Sequence, residues 1–138
     1  MKKLFIDTNI VIDLLAKREP FYSQAATLFS LADRGQIKLF ISALSFANTN
    51  YILLREMKSE DARLVLRKLK LLVEVIDLSE KVLELALNDV NFKDFEDAIQ
   101  YYSATESNTD YIITRNLKDF RSAKIPVLTA DQVLLQLQ

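Results

Sequence analysis

The amino-acid sequence predicts a single α/β domain, a three-layer α/β/α sandwich around a central, mainly parallel five-stranded sheet. Short apolar runs typical of buried strands alternate along the chain with segments whose apolar residues recur every three or four positions, as in amphipathic helices. Strands that alternate with helices in this way form parallel sheets with right-handed crossovers. The chain of 138 residues has no linker or low-complexity segment, so we expect one domain over residues 1–138.

Each predicted strand is a short run of residues that favour an extended backbone. The first and fourth runs are largely apolar, as expected for strands covered on both faces, and the third alternates between polar and apolar residues. The predicted strands cover residues 3–6, 37–41, 73–76, 111–114 and 126–128.

The predicted helices are bounded by residues that favour helix ends. Pro20 suits the first turn of the second helix, and Gly35 suits its C-terminal cap. Serine and aspartate begin several of the later helices, because their side-chain oxygens accept hydrogen bonds from free backbone N–H groups. The predicted helices cover residues 9–16, 20–35, 45–56 (or from Ser42), 59–72, 79–88, 94–106 and 130–137.

Several kinds of chemistry are excluded by composition. The chain has no histidine and no cysteine, which rules out a Ser-His-Asp triad, a histidine base, a typical zinc site and disulfides. Its single glycine, Gly35, leaves no phosphate-binding or dinucleotide-binding glycine loop. No apolar stretch is long enough to span a membrane, and no signal peptide is evident, so we expect a soluble cytoplasmic protein.

Acidic and amide side chains follow two of the predicted strands. Asp7 comes directly after the first strand, and Asn116 and Asp119 follow the fourth. Parallel strands end at one edge of a sheet, where α/β proteins bind ligands, and Asp94 and Asp97 at a helix start would add further carboxylates. Carboxylates gathered there repel one another unless a cation lies between them. Oxygen ligands without histidine or cysteine favour Mg²⁺ or Mn²⁺.

Helix capping is the alternative explanation for the same acids. Asp94 and Asp97 have the spacing of a capping residue and its reciprocal partner, Asn116 and Asp119 repeat that spacing, and Asp7 would cap the first helix. Capping accounts well for any one of them. It accounts less well for their accumulation at several helix starts that should share one sheet edge, so the set as a whole favours a metal site.

Three motifs resemble those of the PIN-domain (PilT N-terminus) family. They are Phe5-Ile6-Asp7-Thr8-Asn9, Asp94-Phe95-Glu96-Asp97-Ala98, and Thr114-Arg115-Asn116 followed by Asp119-Phe120. The resemblance spans nearly the whole chain. It implies a PIN-like fold and the function of a VapC-like toxin, a Mg²⁺- or Mn²⁺-dependent endoribonuclease with an antitoxin partner and a homodimeric state.

The resemblance also implies roles for individual residues. The catalytic and metal-binding positions are Asp7, Asp97 and Asp119, and the supporting positions are Thr8, Asn9, Asn48, Thr114 and Asn116. Two further candidates come from position in the chain. Asp94 lies one helical turn before Asp97 and is a further candidate metal ligand, and Arg115 directly follows the fourth strand and is the candidate contact for a substrate phosphate.

Asn48 departs from the family pattern, which places a glutamate on the helix after the second strand. An amide can coordinate a hard cation but carries no charge, so metal affinity should fall. This departure keeps open a degenerate PIN domain that binds RNA or a protein without cleaving. A third hypothesis is an unrelated hydrolase of small phosphorylated molecules, although the glycines such enzymes often use to hold phosphate are absent.

Basic residues concentrate in the first half of the chain. Residues 1–70 hold 12 Lys and Arg against 7 Asp and Glu, whereas residues 71–138 hold 6 against 12. A basic group on the helices after the second strand would bind RNA phosphates or, as the favoured alternative, form a solvated face. That group is Arg55, Lys58, Arg63, Arg67, Lys68 and Lys70. Tyr51, Tyr101 and Tyr102 are expected in the core or an interface rather than under a nucleobase.

Overall fold

The computed structural model describes all residues from 1 to 138 and confirms the three-layer α/β/α architecture. The five strands form one sheet in the order β3-β2-β1-β4-β5, and every neighbouring pair is parallel. The strands are β1 (Lys3–Ile6), β2 (Lys38–Ser42), β3 (Glu74–Ile76), β4 (Tyr111–Ile113) and β5 (Val127–Leu128).

Seven α-helices lie on the chain between and after the strands. They are α1 (Thr8–Leu15), α2 (Tyr22–Asp33), α3 (Ala43–Leu53), α4 (Ser59–Lys70), α5 (Glu80–Asn88), α6 (Phe95–Glu106) and α7 (Ala130–Gln136), and a 3₁₀ turn covers Leu117–Phe120. None of these helices is long and apolar enough to cross a membrane.

The sheet separates two hydrophobic cores because successive strand residues point to opposite faces. On β1, Leu4 and Ile6 pack into one core and Phe5 into the other, and all three side chains are fully buried. The first core is closed mainly by α1, α2 and α7, and the second by α5 and α6. Burial on both faces explains why these strands are nearly continuous apolar runs.

The helix boundaries differ from the predicted ones at several ends. Ser42 is the N-cap of α3, and its side chain accepts from the backbone N–H of Ser45, which settles the choice between the two serines. α4 begins at Ser59, as predicted, and its N-cap is Lys58, which makes no side-chain capping bond. Gly35 follows the C-terminus of α2 with φ of 74°, a left-handed conformation that glycine adopts without strain.

The strand order places β1 and β4 side by side at the point where the order reverses. Ile6 pairs with Ile113, and the backbone N–H of Asp7 donates to the carbonyl of Ile113 at 2.9 Å. Open α/β sheets bind ligands in the crevice outside the carboxyl ends of such strands. Asp7 and Thr114, the first residues beyond these two strands, therefore lie at the expected site.

Candidate active site at the carboxyl edge of the sheet

Asp7 is buried at this edge, with both carboxylate oxygens held by hydrogen bonds. Its side chain is 7% exposed. Oδ1 accepts from the backbone N–H of Thr8 at 2.9 Å and from Gln100 Nε2 at 3.1 Å. Oδ2 accepts from Thr114 Oγ1 at 2.7 Å and from Asn9 Nδ2 at 3.3 Å. Burial raises the pKa of Asp7, while these hydrogen bonds act in the opposite direction.

Gln100 on α6 is a site residue that the sequence did not predict. Its side chain is 3% exposed, and Nε2 donates to Asp7 Oδ1 and, at 2.9 Å, to Ser45 Oγ. Its Oε1 accepts from Ser42 Oγ at 2.5 Å. Gln100 therefore ties α6 to the helix after β2 and to the end of β1. A glutamine one turn after Asp97 on the buried side of a helix was the only signal available in the sequence.

Thr8, Asn9 and Thr114 complete the hydrogen-bond network. Thr8 Oγ1 lies 2.6 Å from Ser45 Oγ, and Asn9 Nδ2 also donates to Thr114 Oγ1 at 3.2 Å. Thr114 Oγ1 in turn accepts from the backbone N–H of Asn116 at 3.1 Å. The structure thus brings these predicted supporting residues together around one carboxylate.

Asp97 lies close to the same point but is held differently. Its carboxylate takes part in no hydrogen bond, and its pKa is raised to about 7. The largest cause of this raised pKa is loss of solvent on partial burial. Repulsion from neighbouring carboxylates adds to it, most strongly from Asp94 and then from Asp7, Asp119 and Glu96. The protein therefore concentrates negative charge around Asp97 without neutralising it.

Capping explains some of the acids and not others. Asp94 caps α6, since its Oδ1 accepts from the backbone N–H groups of Glu96 at 2.8 Å and Asp97 at 3.3 Å, and its Oδ2 stays free. Asp7 also stands at an N-cap. Asp97 does not return a reciprocal bond, and Asn116 makes no side-chain cap before the 3₁₀ turn. The capping hypothesis is thus confirmed for Asp94 and Asp7 and gives no account of Asp97, Asp119 or Asn116.

A cavity of about 380 Å³ opens beside this cluster. Its lining combines the predicted carboxylates and amides with a more apolar wall. The lining residues are Asp7, Thr8, Asn9, Ile12, Arg18, Leu44, Asn48, Tyr51, Ile52, Glu96, Asp97, Gln100 and Asn116. We refer to it below as the catalytic cavity, because it adjoins the acids that the sequence predicts to be catalytic.

Comparison with known proteins places the chain in a family. A family model of the PIN domain matches residues 3–118. The chain belongs to the PIN-domain family. It is 29% identical over 137 residues to Ribonuclease VapC1 of Aquifex aeolicus (strain VF5), a match that covers 95% of this chain and 92% of that protein.

Solved structures show the same PIN fold. A toxin–antitoxin complex from Klebsiella pneumoniae contains a chain that is 25% identical, with a TM-score of 0.69 and coverage of 92% of this chain and 97% of that one. VapBC2 of Rickettsia felis, solved with a DNA fragment from its promoter, matches with a TM-score of 0.68 at 22% identity over 91% of this chain and 96% of that one.

The donor chemistry at this PIN site fits a hard cation, although the side chains do not yet surround one. Carboxylate and amide oxygens are the ligands that Mg²⁺ and Mn²⁺ prefer. No three carboxylates lie close enough together to hold a single ion. Asp119 is exposed and Asp97 is only half-buried.

Asn48 stands in the catalytic cavity opposite an unexpected carboxylate. Asn48 Nδ2 donates to Glu96 Oε2 at 3.5 Å, across the mouth between α3 and α6. Glu96 also lines the cavity and contributes to the repulsion at Asp97. The sequence placed Glu96 inside a family motif but assigned it no role. The structure places its negative charge beside the position where Asn48 supplies none.

Arg115 is engaged away from the carboxylates. Its Nε and Nη2 donate to the two oxygens of the fully buried Asp13 at 2.8 and 3.2 Å, and its guanidinium lies 4.1 Å from the centroid of the Phe21 ring. It lines a separate cavity with those residues rather than the catalytic one. The predicted contact between Arg115 and substrate stays a prediction, and these contacts favour a structural role.

The tyrosines separate into two environments. Tyr101 is 6% exposed and stacks on Phe92, and Tyr102 contacts Tyr101 edge-on, so both pack as predicted. Tyr51 is 68% exposed and lines the catalytic cavity, so it does not lie in the core. The other part of the expectation, a position in an interface, stays a prediction. Helical spacing alone did not distinguish an inward from an outward tyrosine on α3.

Proposed function

We propose that this PIN-domain protein is a metal-dependent endoribonuclease and the toxin of a toxin–antitoxin pair. The observation that carries the proposal is the uncompensated negative charge at the sheet edge, where partial burial and neighbouring carboxylates raise the pKa of Asp97 to about 7. Strongly shifted carboxylates in a cavity are typical of functional sites. Similarity to Ribonuclease VapC1 supports RNA as the substrate.

Asp7, Asp97 and Asp119 would hold one or two Mg²⁺ or Mn²⁺ ions, with the free Oδ2 of Asp94 as a further ligand. The bound metal would lower the pKa of a water and stabilise charge on the phosphoryl oxygens. The chain's own contribution is orientation: Gln100 and Thr114 fix the carboxylate of Asp7 from opposite sides. Partners that orient a metal ligand commonly change metal affinity or activity by about 10- to 100-fold.

Glu96 would supply the charge that Asn48 lacks. A Glu96→Gln protein should bind Mn²⁺ and cleave RNA about tenfold less well, the low end of the effect expected when a supporting carboxylate is lost. Adding Asn48→Glu to that variant should restore both properties, because the carboxylate returns to the opposite wall of the same cavity. An unchanged Mn²⁺ affinity in the Glu96→Gln protein would contradict this role.

RNA cleavage tests the main proposal. Purified, antitoxin-free wild type should cleave a structured-RNA pool with Mn²⁺ or Mg²⁺ and lose that activity in EDTA. Asp97→Asn should reduce the rate more than about 100-fold, beyond the loss typical of groups that only support a ligand. Asp61→Asn, an exposed change on α4, removes the same charge away from the site and should cleave like wild type. Equal cleavage by the Asp97→Asn protein and wild type would refute the proposal.

The alternative function is that of a degenerate PIN domain that binds RNA or a protein without cleaving it. It is favoured by Asn48, which carries no charge where the family has a glutamate, and by the lack of three carboxylates around one point. It predicts RNA binding without cleavage and no gain of stability with Mn²⁺. The same assay, combined with a thermal shift in Mn²⁺, therefore separates a nuclease from a binding module.

We further propose an antitoxin partner, a homodimeric state and action in the cytoplasm. The partner is supported by the Klebsiella pneumoniae structure, which is a toxin–antitoxin complex. The dimer is supported by exposed aliphatic side chains on and after α5, since Leu87 is 65% and Val90 88% exposed. Sedimentation of wild type and of a Leu87→Lys/Val90→Lys variant tests the dimer: the variant should be monomeric.

A further inference from the structure

A second cavity lies on the other side of Asp97 from the catalytic cavity. Its volume is about 280 Å³, and Asp97 belongs to both linings. The lining of this second cavity contains no hydrophobic residue. The residues are Asn91, Lys93, Asp94, Asp97, Lys118, Asp119, Arg121 and Ser122. An occupant that meets only charged and polar groups is itself expected to be charged or strongly polar.

Lys93, Lys118 and Arg121 bring three positive charges to this cavity, and none of them is used elsewhere in the fold. The protein has three salt bridges, and all of them involve other residues. The side chains of these three residues also make no hydrogen bond, and all three residues are exposed. They come from the loop before α6 and from the 3₁₀ turn and the residue that follows it, so only the tertiary structure brings them together.

Asp94, Asp97 and Asp119 also line this cavity, yet no side-chain nitrogen of Lys93, Lys118 or Arg121 lies within 4.0 Å of a carboxylate oxygen. The three cations are therefore not paired with the acids beside them, and they remain available to a ligand that enters the cavity.

Three residues of the basic group predicted from sequence lie elsewhere, whereas Arg55 lies 5.6 Å from the ring centroid of Tyr51, a residue of the catalytic cavity. Arg67, Lys68 and Lys70 line a cavity by β3 together with exposed Leu71, and that cavity shares no residue with either cavity at Asp97. Position therefore favours the three cations at the second cavity over those on α4 as contacts for a strand that passes the catalytic acids.

We propose that Lys93, Lys118 and Arg121 form a phosphate-binding subsite that holds the RNA backbone next to the cleaved phosphodiester. This inference rests on the proposed ribonuclease function. The subsite would bind without regard to base, since phosphate contacts carry no sequence information. A strand held there would cross Asp97 and enter the catalytic cavity at Glu96 and Tyr51.

The salt dependence of RNA binding tests the subsite. Fluorescein-labelled single-stranded RNA is titrated in EDTA at several salt concentrations with the full-length Asp97→Asn protein, which blocks cleavage. Each lost phosphate contact should reduce the slope of log affinity against log salt by about 0.7 for a single strand. The triple variant Lys93→Gln/Lys118→Gln/Arg121→Gln should therefore lose about 2 from the slope.

The matched control removes the same charge from α4. Arg63→Gln/Arg67→Gln/Lys68→Gln, also at exposed positions, should keep the parent slope. Lys93→Arg/Lys118→Arg/Arg121→Lys retains all three charges and should keep it too, which would show that the slope depends on charge rather than on the identity of the side chains. The proposal is overturned if the triple Gln variant at the second cavity keeps the parent slope, or if the triple Gln variant on α4 loses as much slope as the cavity variant does.

Two further outcomes separate this inference from the proposed function. Absence of cleavage by wild type in Mn²⁺ would refute the ribonuclease and leave the slope difference measurable. The second outcome is that the triple Gln variant at the second cavity binds RNA like the parent protein and binds a poly-glutamate peptide more weakly. That result would assign the three cations to an acidic protein partner and overturn the phosphate subsite.

Discussion

Asp7 and Asp97 lie near the same edge of the sheet, and the pKa of each is raised mainly by burial, yet the protein holds them in opposite ways. Asp7 accepts hydrogen bonds from Gln100, Thr114 and two further groups. Asp97 accepts none and is surrounded by other carboxylates. The first is positioned by the fold before any cation binds, whereas the second has a favourable partner only if a cation supplies one.

Metal binding should reveal this difference most strongly. Mn²⁺ should stabilise wild type, because an ion that binds only the folded state adds about 2.7 kcal/mol at 100 times its dissociation constant. The Asp97→Asn protein should lose most of that gain. Chemical denaturation with and without Mn²⁺ measures both values, and an equal gain in the variant would show that Asp97 is not a ligand.

In the absence of metal, removal of the Asp7 carboxylate and removal of the Asp97 carboxylate should change the free energy of unfolding in opposite directions. Asp7→Ala removes the acceptor of four hydrogen bonds and leaves the buried Thr114 hydroxyl without an acceptor, so it should lower the free energy of unfolding by about 1–3 kcal/mol. Asp97→Ala breaks no hydrogen bond and relieves repulsion, so the free energy of unfolding at pH 8 should rise slightly. Urea denaturation in EDTA at that pH distinguishes the two. A loss in Asp97→Ala as large as that in Asp7→Ala would remove the distinction.

Gln100→Leu should disturb Asp7, the carboxylate that hydrogen bonds hold in place, and should leave Asp97 unchanged. The change leaves Asp7 and two serine hydroxyls without their shared partner, so we expect a loss of about 1–3 kcal/mol in the free energy of unfolding. The rate of RNA cleavage should fall by about 10- to 100-fold, as for other groups that orient a ligand. Gln132→Leu in the capping box of α7 is the control, since it costs a surface cap and should leave cleavage intact.

The pH dependence of stability should give the smallest effect. In the metal-free protein, Asp97 keeps its proton up to a pKa of about 7, whereas in the unfolded chain it loses it near 3.8. Between those values the folded state binds more protons than the unfolded state, so stability falls as pH rises and then levels off above about 7. Partial exposure screens the effect. Stability measured in EDTA from pH 4 to 8 should decline less steeply in the Asp97→Asn protein.

Local signals in the sequence were sufficient for the fold class and for some of the helix caps. Strand runs with apolar character on both faces predicted a parallel sheet, and the structure has all five strands in place. The motifs assigned Asp7 and Thr114 to one site, and the structure places their side chains 2.7 Å apart. The capping role of Asp94 was equally predictable, because a cap depends on residues within the same turn.

Tertiary structure decided which other residues join the site. The pairing of Glu96 with Asn48 depends on how α6 lies against α3. Gln100 reaches Asp7 across 93 positions of sequence. The three free cations lie in the half of the chain with more acidic than basic residues, where overall charge pointed away from phosphate binding.

The sequence by itself determined the layers of the fold and helix caps such as those at Asp7 and Asp94, because each depends on residues a few positions apart. Only the tertiary structure decided that Asp7 is fixed by hydrogen bonds while Asp97 is left among negative charges. It also decided that Arg115 pairs with Asp13. The physical reason is that burial, hydrogen-bond partners and electrostatic repulsion depend on distances in space, and strand order and helix packing set those distances for residues far apart in the chain.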